Sequence, residues 1–227
     1  MIIAEPDTLL VVAKKPAPGE TKTRLCPPLT PSQAAELYDC FLRDTLDTMR
    51  SVPGVFREIG YMPEKALGYF RKLAPDMGFI FQRGASLGER LDHLLKEKLA
   101  GGSRRVVVID SDSPTLPAEY IVQAFDYLTD SDVVLGPTHD GGYYLIGMKV
   151  PHSHLLLEVR MSTPNVLADT LALAESTGLT VSLLPSWYDV DTISDLYQLE
   201  SEILGGNARR NATATHRWLS MSDLHKK

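Results

Sequence analysis

Residues 10–25 read Leu10-Val11-Val12-Ala13-Lys14-Lys15-Pro16-Ala17-Pro18-Gly19-Glu20-Thr21-Lys22-Thr23-Arg24-Leu25, and this stretch decides the fold. Residues 8–13 form a short apolar run of strand length. The run passes directly into a loop rich in glycine and proline that ends on Lys22 and Arg24, and a helical pattern starts at Pro31. Strand, loop and helix in that order make the opening unit of an α/β protein. Backbone N–H groups in such a loop approach phosphate oxygens closely, and fixed cations neutralise their charge. The alternative is a solvated basic turn. Against it, Lys14, Lys15, Lys22 and Arg24 are crowded together in a chain of net charge −6.

The same alternation continues outward. Ala34, Leu37, Phe41, Thr45 and Met49 share one face of a helix over residues 31–50, with Pro31 in its first turn. A strand near 55–61, a helix near 63–74, a strand at 78–82 and a helix over 87–99 follow. Residues 105–110 read as a central strand, residues 117–128 as a helix and residues 132–136 as a strand. There the rhythm breaks: residues 143–149 read as a strand reached through Asp140-Gly141-Gly142 with no helix between, an arrangement suited to an antiparallel neighbour. A helix at 163–176, a strand at 179–184 and a helix at 192–204 complete the pattern, the last opening with the capping-box sequence Thr192-Ile193-Ser194-Asp195. The expectation is one α/β domain over residues 1–205, with a mixed, mostly parallel sheet covered by helices on both faces. A tail over 206–227 carries a short helix near Thr213 to Leu219.

The 227 residues suffice for a sizeable core, and 44% hydrophobic with 23% charged residues is ordinary for a globular protein. The acidic balance argues against nucleic-acid binding, which calls for a basic face. No apolar run approaches the length of a membrane span, and no basic segment followed by an apolar core marks a secretory signal. Cys26 and Cys40 form no Cys-x-x-Cys pair and no disulfide framework, so a reduced, cytoplasmic setting is expected.

In open α/β sheets, ligands bind beyond the carboxyl ends of the strands. Three features follow strands here: the basic loop, Asp110-Ser111-Asp112-Ser113-Pro114, and Asp189-Val190-Asp191-Thr192. Asp112 and Asp191 with phosphate oxygens would make a shell for Mg²⁺ (or Mn²⁺), which prefers hard oxygen ligands. Each also stands where a helix N-cap would. In Asp140-Gly141-Gly142-Tyr143 the glycines either admit a ligand to the backbone or merely permit a tight turn. Ser86-Leu87-Gly88-Glu89-Arg90 opens a helix and either meets a ligand or simply starts that helix. Gly19-Glu20-Thr21-Lys22-Thr23 lacks the Gly-Lys-Thr triplet of a P-loop. Residues 106–112 also look like an aspartate-nucleophile phosphatase motif centred on Asp110, but such a motif normally opens its fold.

Taken together, Lys14-x-Pro16-x-Pro18-Gly19-x-x-Lys22-Thr23-Arg24-Leu25, Leu87-Gly88-Glu89-Arg90, Ser111-Asp112-Ser113-Pro114, Gly136-Pro137-x-x-Asp140-Gly141-Gly142-Tyr143-Tyr144-Leu145-Ile146-Gly147 and Asp189-x-Asp191-Thr192 resemble a bacterial glycosyltransferase-like family. That family belongs to the nucleotide-diphospho-sugar transferase superfamily and has a GT-A fold. The layout is also similar to 2-phospholactate guanylyltransferase. The resemblance implies a metal-dependent transferase that moves a nucleotidyl or glycosyl group from a nucleoside triphosphate or nucleotide sugar to a small acceptor. It implies Lys22, Arg24 and Asp112 as catalytic residues and Asp112 and Asp191 as metal ligands. Lys14, Pro18, Gly19, Thr23, Leu87, Gly88, Asp140, Gly141 and Gly142 become substrate contacts. Asp110 stands where the family often has a small residue, and is either an extra ligand or a structural carboxylate. A nucleotide-binding protein without turnover is the rival from another class; retention of both Asp112 and Asp191 speaks against it.

Overall fold

A computed structural model describes residues 7–205 and 212–222. Its first strand, β1 (Asp7–Lys14), is covered on both faces, which is why it reads as an unbroken apolar run rather than an alternating one. Leu9, Leu10 and Val11 have no exposed surface. The chain continues through α1 (Pro31–Ser51), β2 (Val55–Met62), α2 (Leu67–Leu73), β3 (Gly78–Phe81), α3 (Leu87–Ala100), β4 (Val106–Ile109), α4 (Ala118–Tyr127), β5 (Val133–Pro137), β6 (Tyr143–Met148), α5 (His154–Leu157), α6 (Val166–Ser176), β7 (Val181–Leu183), α7 (Ile193–Leu204) and α8 (Thr213–Met221).

The seven strands lie in the order β3-β2-β1-β4-β6-β5-β7. β6 runs antiparallel to both β4 and β5, as the missing helix between residues 136 and 143 predicts, and the other neighbours are parallel. The strand order reverses between β1 and β4, whose register sets Val11 beside Ile109. The carboxyl ends of these two strands therefore flank the crevice where open α/β sheets bind ligands. β1 delivers the basic loop to it, and β4 delivers Asp110 to Asp112.

Helices cover both faces. Leu9, Val11 and Ala13 pack with α1, α2 and α4, while Leu10 packs with α3, α5 and α6. α1 is buried on two sides. Leu42, Leu46 and Met49 meet the sheet, and Leu37, Tyr38 and Phe41 meet a further cluster with Leu25, α7 and α8. Asp44 of α1, 1% exposed, accepts hydrogen bonds from Ala214 N and Thr215 N at 2.8 Å each, which fastens the first turn of α8 to the body. The rest of the expected tail, residues 206–211 and 223–227, lies outside the described residues.

Local chemistry sets the helix starts. Thr30 and Gln33 form a reciprocal capping box with Pro31 in the first turn of α1, and Thr192 with Asp195 does the same for α7. The helix expected over 163–176 starts only at Val166, because Ser162 has φ +62° and Pro164 disfavours helical backbone in the residue before it. The helix expected near 63–74 begins as a 3-10 turn, Glu64–Ala66, after Pro63. A second 3-10 turn, Thr23–Leu25, and the single-turn α5 were not foreseen from periodicity. Among the described residues, no helix is long and apolar enough to cross a membrane.

Candidate active site

The basic loop after β1 folds back on itself. Thr21 Oγ1 donates to Ala17 O at 3.1 Å, Thr21 N reaches the same carbonyl, and Lys14 Nζ donates to Glu20 O at 3.1 Å. These bonds turn the chain at Pro18-Gly19 and leave Lys22 with φ +50°, a left-handed conformation unusual for a side-chain-bearing residue. The turn aims Lys22 inward and leaves Arg24 outside.

Lys22 stands at the centre of the site. Its Nζ lies 2.8 Å from Asp112 Oδ1 and 2.8 Å from Asp191 Oδ1, and its side chain is 5% exposed. Arg24 Nη1 approaches Asp191 Oδ2 at 3.7 Å with its side chain 76% exposed. Burial disfavours the Lys22 charge, but the attraction of Asp112 and Asp191 outweighs it and holds the ammonium above the usual lysine range. Burial likewise works against the Asp191 carboxylate, and Lys22 and Arg24 overcome it, keeping its pKa below the ordinary value.

Backbone and side-chain bonds join the two aspartate loops. Val190 N donates to Asp112 O at 3.0 Å, and Ser113 Oγ reaches Tyr188 O at 3.1 Å and Asp189 Oδ1 at 2.7 Å. Neither candidate ligand is a helix cap. The cap of α7 is Thr192 and that of α4 is Pro117, so both carboxylates are free of capping duty. Asp110 gives one oxygen to Asp112 N at 3.1 Å. Burial, then Asp189 and Asp112, raise the Asp110 pKa well above normal, and burial with Asp112 raises Asp189 to about 6. Tyr38 closes the floor: its hydroxyl pairs with Ser111 Oγ at 2.8 Å and accepts from Lys14 N, and burial with nearby Asp112 raises its pKa to about 12.

A cavity of about 310 Å³ is lined by Lys14, Thr21, Lys22, Thr23, Arg24, Asp112 and Asp191 among others. A second, of about 620 Å³, shares Lys14, Arg24, Asp112 and Asp191 and extends past Gln82, Leu87, Arg90, Asp140, Gly142 and Tyr143 to Met161–Pro164. The structure thus brings together Lys14, Lys22, Thr23, Arg24, Leu87, Asp112, Asp140, Gly142 and Asp191 around one cleft. Pro18 and Gly19 are exposed and line neither cavity.

Packing leaves no room for a side chain at two of the glycines. A Cβ on Gly88 would sit 2.0 Å from Leu156 O, so this glycine lets α3 approach α5. Gly141 has φ +91°, and a Cβ there would sit 1.9 Å from Pro164 O. Asp140 accepts from Thr138 Oγ1 and from Gly142 N, closing its own turn. Ser86 caps α3 by accepting from Glu89 N. The sequence reading passed over Gln82 and Tyr38 as site residues and took Asp189 only as part of the Asp189-Val190-Asp191-Thr192 motif, with no role of its own. Gln82 donates from Nε2 to Gly60 O at 2.6 Å and to Ala13 O at 3.3 Å; a polar residue at the carboxyl end of the strand read over 78–82 was the available signal.

Among the described residues, no group of three or more His, Cys, Asp or Glu side chains is arranged to hold a metal. Asp112 and Asp191 alone fit a different kind of site. Mg²⁺ commonly takes one or two carboxylates and fills its shell with substrate phosphates and water. Both carboxylates contact one Nζ, so their oxygens are separated by no more than twice the 2.8 Å ion-pair distance.

The fold and this cleft define a class: an α/β protein with the nucleotide-diphospho-sugar transferase fold. A crystal structure described as a candidate nucleotide-diphospho-sugar transferase from Desulfovibrio desulfuricans G20 matches at TM-score 0.89 and 33% identity, over 96% of this chain and 95% of that one. Residues 45–163, just over half of the chain, match the family described as an uncharacterized protein conserved in bacteria (DUF2064), and the chain belongs to that family. Two more distant structures share the fold. CMP:2-keto-3-deoxy-manno-octonic acid synthetase complexed with CTP matches at TM-score 0.56 and 11% identity, over 88% of this chain and 98% of that one. Rv0371c of Mycobacterium tuberculosis H37Rv, in complex with manganese, matches at 0.54 and 16%, over 86% of this chain and 98% of that one. No protein of curated function matches the chain.

Proposed function

We propose that the protein is a divalent-metal-dependent transferase that uses a nucleoside triphosphate to move a nucleotidyl group onto a small acceptor. One observation carries the reading: Lys14, Lys22 and Arg24 converge with Asp112 and Asp191 on one cavity at the strand-order reversal. Cations suited to phosphate oxygens and two carboxylates suited to a metal within the same site match a metal–polyphosphate ligand. The relative complexed with CTP and the relative complexed with manganese support the same ligand type.

Mg²⁺ or Mn²⁺, held by Asp112 and Asp191, would supply Lewis-acid stabilisation of charge developing on the phosphate oxygens. The chain's own groups do the rest. Lys14, Lys22 and Arg24 bind and orient the phosphates, with Thr23 beside them at the cavity wall. Asp140 offers acceptors to a substrate hydroxyl from the far wall, near Gly142 and Leu87. In nucleotidyl transfer an acceptor phosphate oxygen attacks the α-phosphorus, the bond from that phosphorus to the α–β bridging oxygen breaks, and pyrophosphate leaves with that oxygen. No protein nucleophile is required. Asp110 is poorly suited to be one, because its carboxyl is held toward the protonated form and bound to Asp112 N. Two free cysteines agree with a reducing, cytoplasmic setting.

Glycosyl transfer from a nucleotide sugar is the second reading, favoured by the description of the 33% identical relative. Pyrophosphate release measured across four nucleoside triphosphates, with sugar-nucleotide cleavage in parallel, separates the two. Metal-dependent pyrophosphate release that requires Arg24 supports nucleotidyl transfer. Sugar-nucleotide cleavage without pyrophosphate release overturns it.

A further inference from the structure

A phosphate clamp holds its cations open to the ligand, as Arg24 does. Lys22 does not: its side chain is 5% exposed, and its Nζ is engaged at 2.8 Å by both Asp112 and Asp191. The Asp112 and Asp191 side chains are themselves 37% and 42% exposed, so the cleft side of the carboxylate pair stays open to solvent. The ammonium sits between the same two oxygens that one divalent ion would share. An ammonium and a divalent cation cannot both lie there, because like charges at contact distance repel strongly where burial weakens screening.

We propose that Lys22 is the built-in counter-ion of the metal site. Its ammonium holds the position between Asp112 and Asp191, and a divalent cation enters only together with a polyphosphate that draws Lys22 away. This rests on the metal–polyphosphate reading above and adds an order of binding to it. A free cation must break two short ion pairs and leave Lys22 without a partner. A metal–polyphosphate complex offers phosphate oxygens that accept the displaced ammonium, so every charge is re-paired in the exchange. The loop that carries Lys22 has its exposed tip at Pro18-Gly19, and its Thr21–Ala17, Lys14–Glu20 and Leu25–Lys22 hydrogen bonds lie outside the strand ladders, so a swing of the Lys22 side chain leaves the sheet intact.

The test is Mn²⁺ binding by the purified full-length protein, read by electron paramagnetic resonance of the free ion, with no nucleotide present. Lys22→Met and Lys22→Gln are compared with wild type after circular dichroism has confirmed their fold. The expected result is Mn²⁺ affinity at least tenfold higher in both variants, lost again when Asp112→Asn is added. Affinity equal to or below wild type overturns the inference. If wild-type Mn²⁺ binding is still abolished by Asp112→Asn in that case, the metal reading stands without it. No Mn²⁺ bound by any of these proteins, together with no Mg²⁺-dependent nucleoside triphosphate binding in calorimetry, overturns both. Should the variants not fold, the wild-type protein decides. With ¹⁵N-labelled lysine, the Lys22 ammonium resonance is expected to stay in place with Mg²⁺ alone and to shift when inorganic pyrophosphate is added. A shift with Mg²⁺ alone, at the same concentration, overturns the inference.

Discussion

Gly141→Ala is expected to unsettle the cleft by steric force, before any ligand is considered. Gly141 has φ +91°, and its added Cβ would sit 1.9 Å from Pro164 O and 2.7 Å from the Pro164 carbonyl carbon. Ordinary contact lies near 3.4 Å, so the carbonyl must retreat by about 1.5 Å. It cannot do so freely. Leu167 N donates to Gly141 O at 2.9 Å, tying the turn to α6, and Pro164 belongs to the wall of the larger cavity. The backbone conformation costs a side-chain-bearing residue about 1–3 kcal/mol. Displacing packed backbone adds about 1–3 kcal/mol more. With a urea slope of roughly 2–3 kcal/mol/M, the unfolding midpoint should fall by about 0.7–3 M. Gly142→Ala is the control. Its Cβ meets only Thr138 Oγ1 at 3.0 Å and Asp140 Oδ1 at 3.4 Å, side-chain atoms that need give by only a few tenths of an ångström, and Gly142 has no left-handed backbone, so the expected loss is below about 1 kcal/mol. Urea unfolding followed by circular dichroism measures both. A Gly141→Ala protein within 1 kcal/mol of wild type, with a defect confined to acceptor use, would falsify the packing argument and restore close ligand approach as the reason for this glycine.

Three further outcomes are expected. Asp44→Ala removes two 2.8 Å bonds to the first turn of α8 from a fully buried position, and should cost about 1–3 kcal/mol, with faster amide exchange in α8 than in α1. Burial raises the Asp7 pKa, but Arg105 and Arg104 outweigh it and hold the carboxylate below its ordinary range. Its contribution is therefore present above the ordinary aspartate range and lost as pH falls through the folded pKa, so the wild-type stability advantage over Asp7→Asn, about 1.5–3 kcal/mol at pH 7, should shrink below pH 4 in urea titrations. Arg24→Ala should weaken nucleotide binding roughly ten- to hundredfold by calorimetry, with the unfolding midpoint unchanged because that side chain is 76% exposed.

The centre of the sheet was legible because strands there are buried on both faces and read as unbroken runs such as Val106–Ile109. The helices announced themselves through Pro31, the Thr192–Asp195 box and the spacing of Leu37 and Phe41. The reversed direction of β6 followed from a two-glycine turn where a helix would otherwise stand. Asp112 was legible as a residue just past β4 and Asp191 as one in the loop between β7 and α7, and the structure brings them to one ammonium. What sequence could not supply was every relation between distant segments. Nothing local to Gly88 or Gly141 points to Leu156 or Pro164, the carbonyls that exclude a side chain from each. Nothing local to Lys22 says that it turns inward while Arg24 turns outward; that depends on the Thr21–Ala17 turn and the left-handed backbone at Lys22. Gln82 hid for the same reason, since both its acceptors lie on other strands.

The central claim is that Asp112 and Asp191 make this cleft a site for a metal-bound nucleotide. Calorimetric titration of the four nucleoside triphosphates into the wild-type protein, with Mg²⁺ and with EDTA, tests it most directly, with Asp112→Asn as the paired variant. The account predicts that at least one nucleotide binds in Mg²⁺ and binds at least a hundredfold more weakly in EDTA or to Asp112→Asn, whose fold stays intact. Binding that is indifferent to both Mg²⁺ and Asp112, or no binding by any of the four, would contradict it.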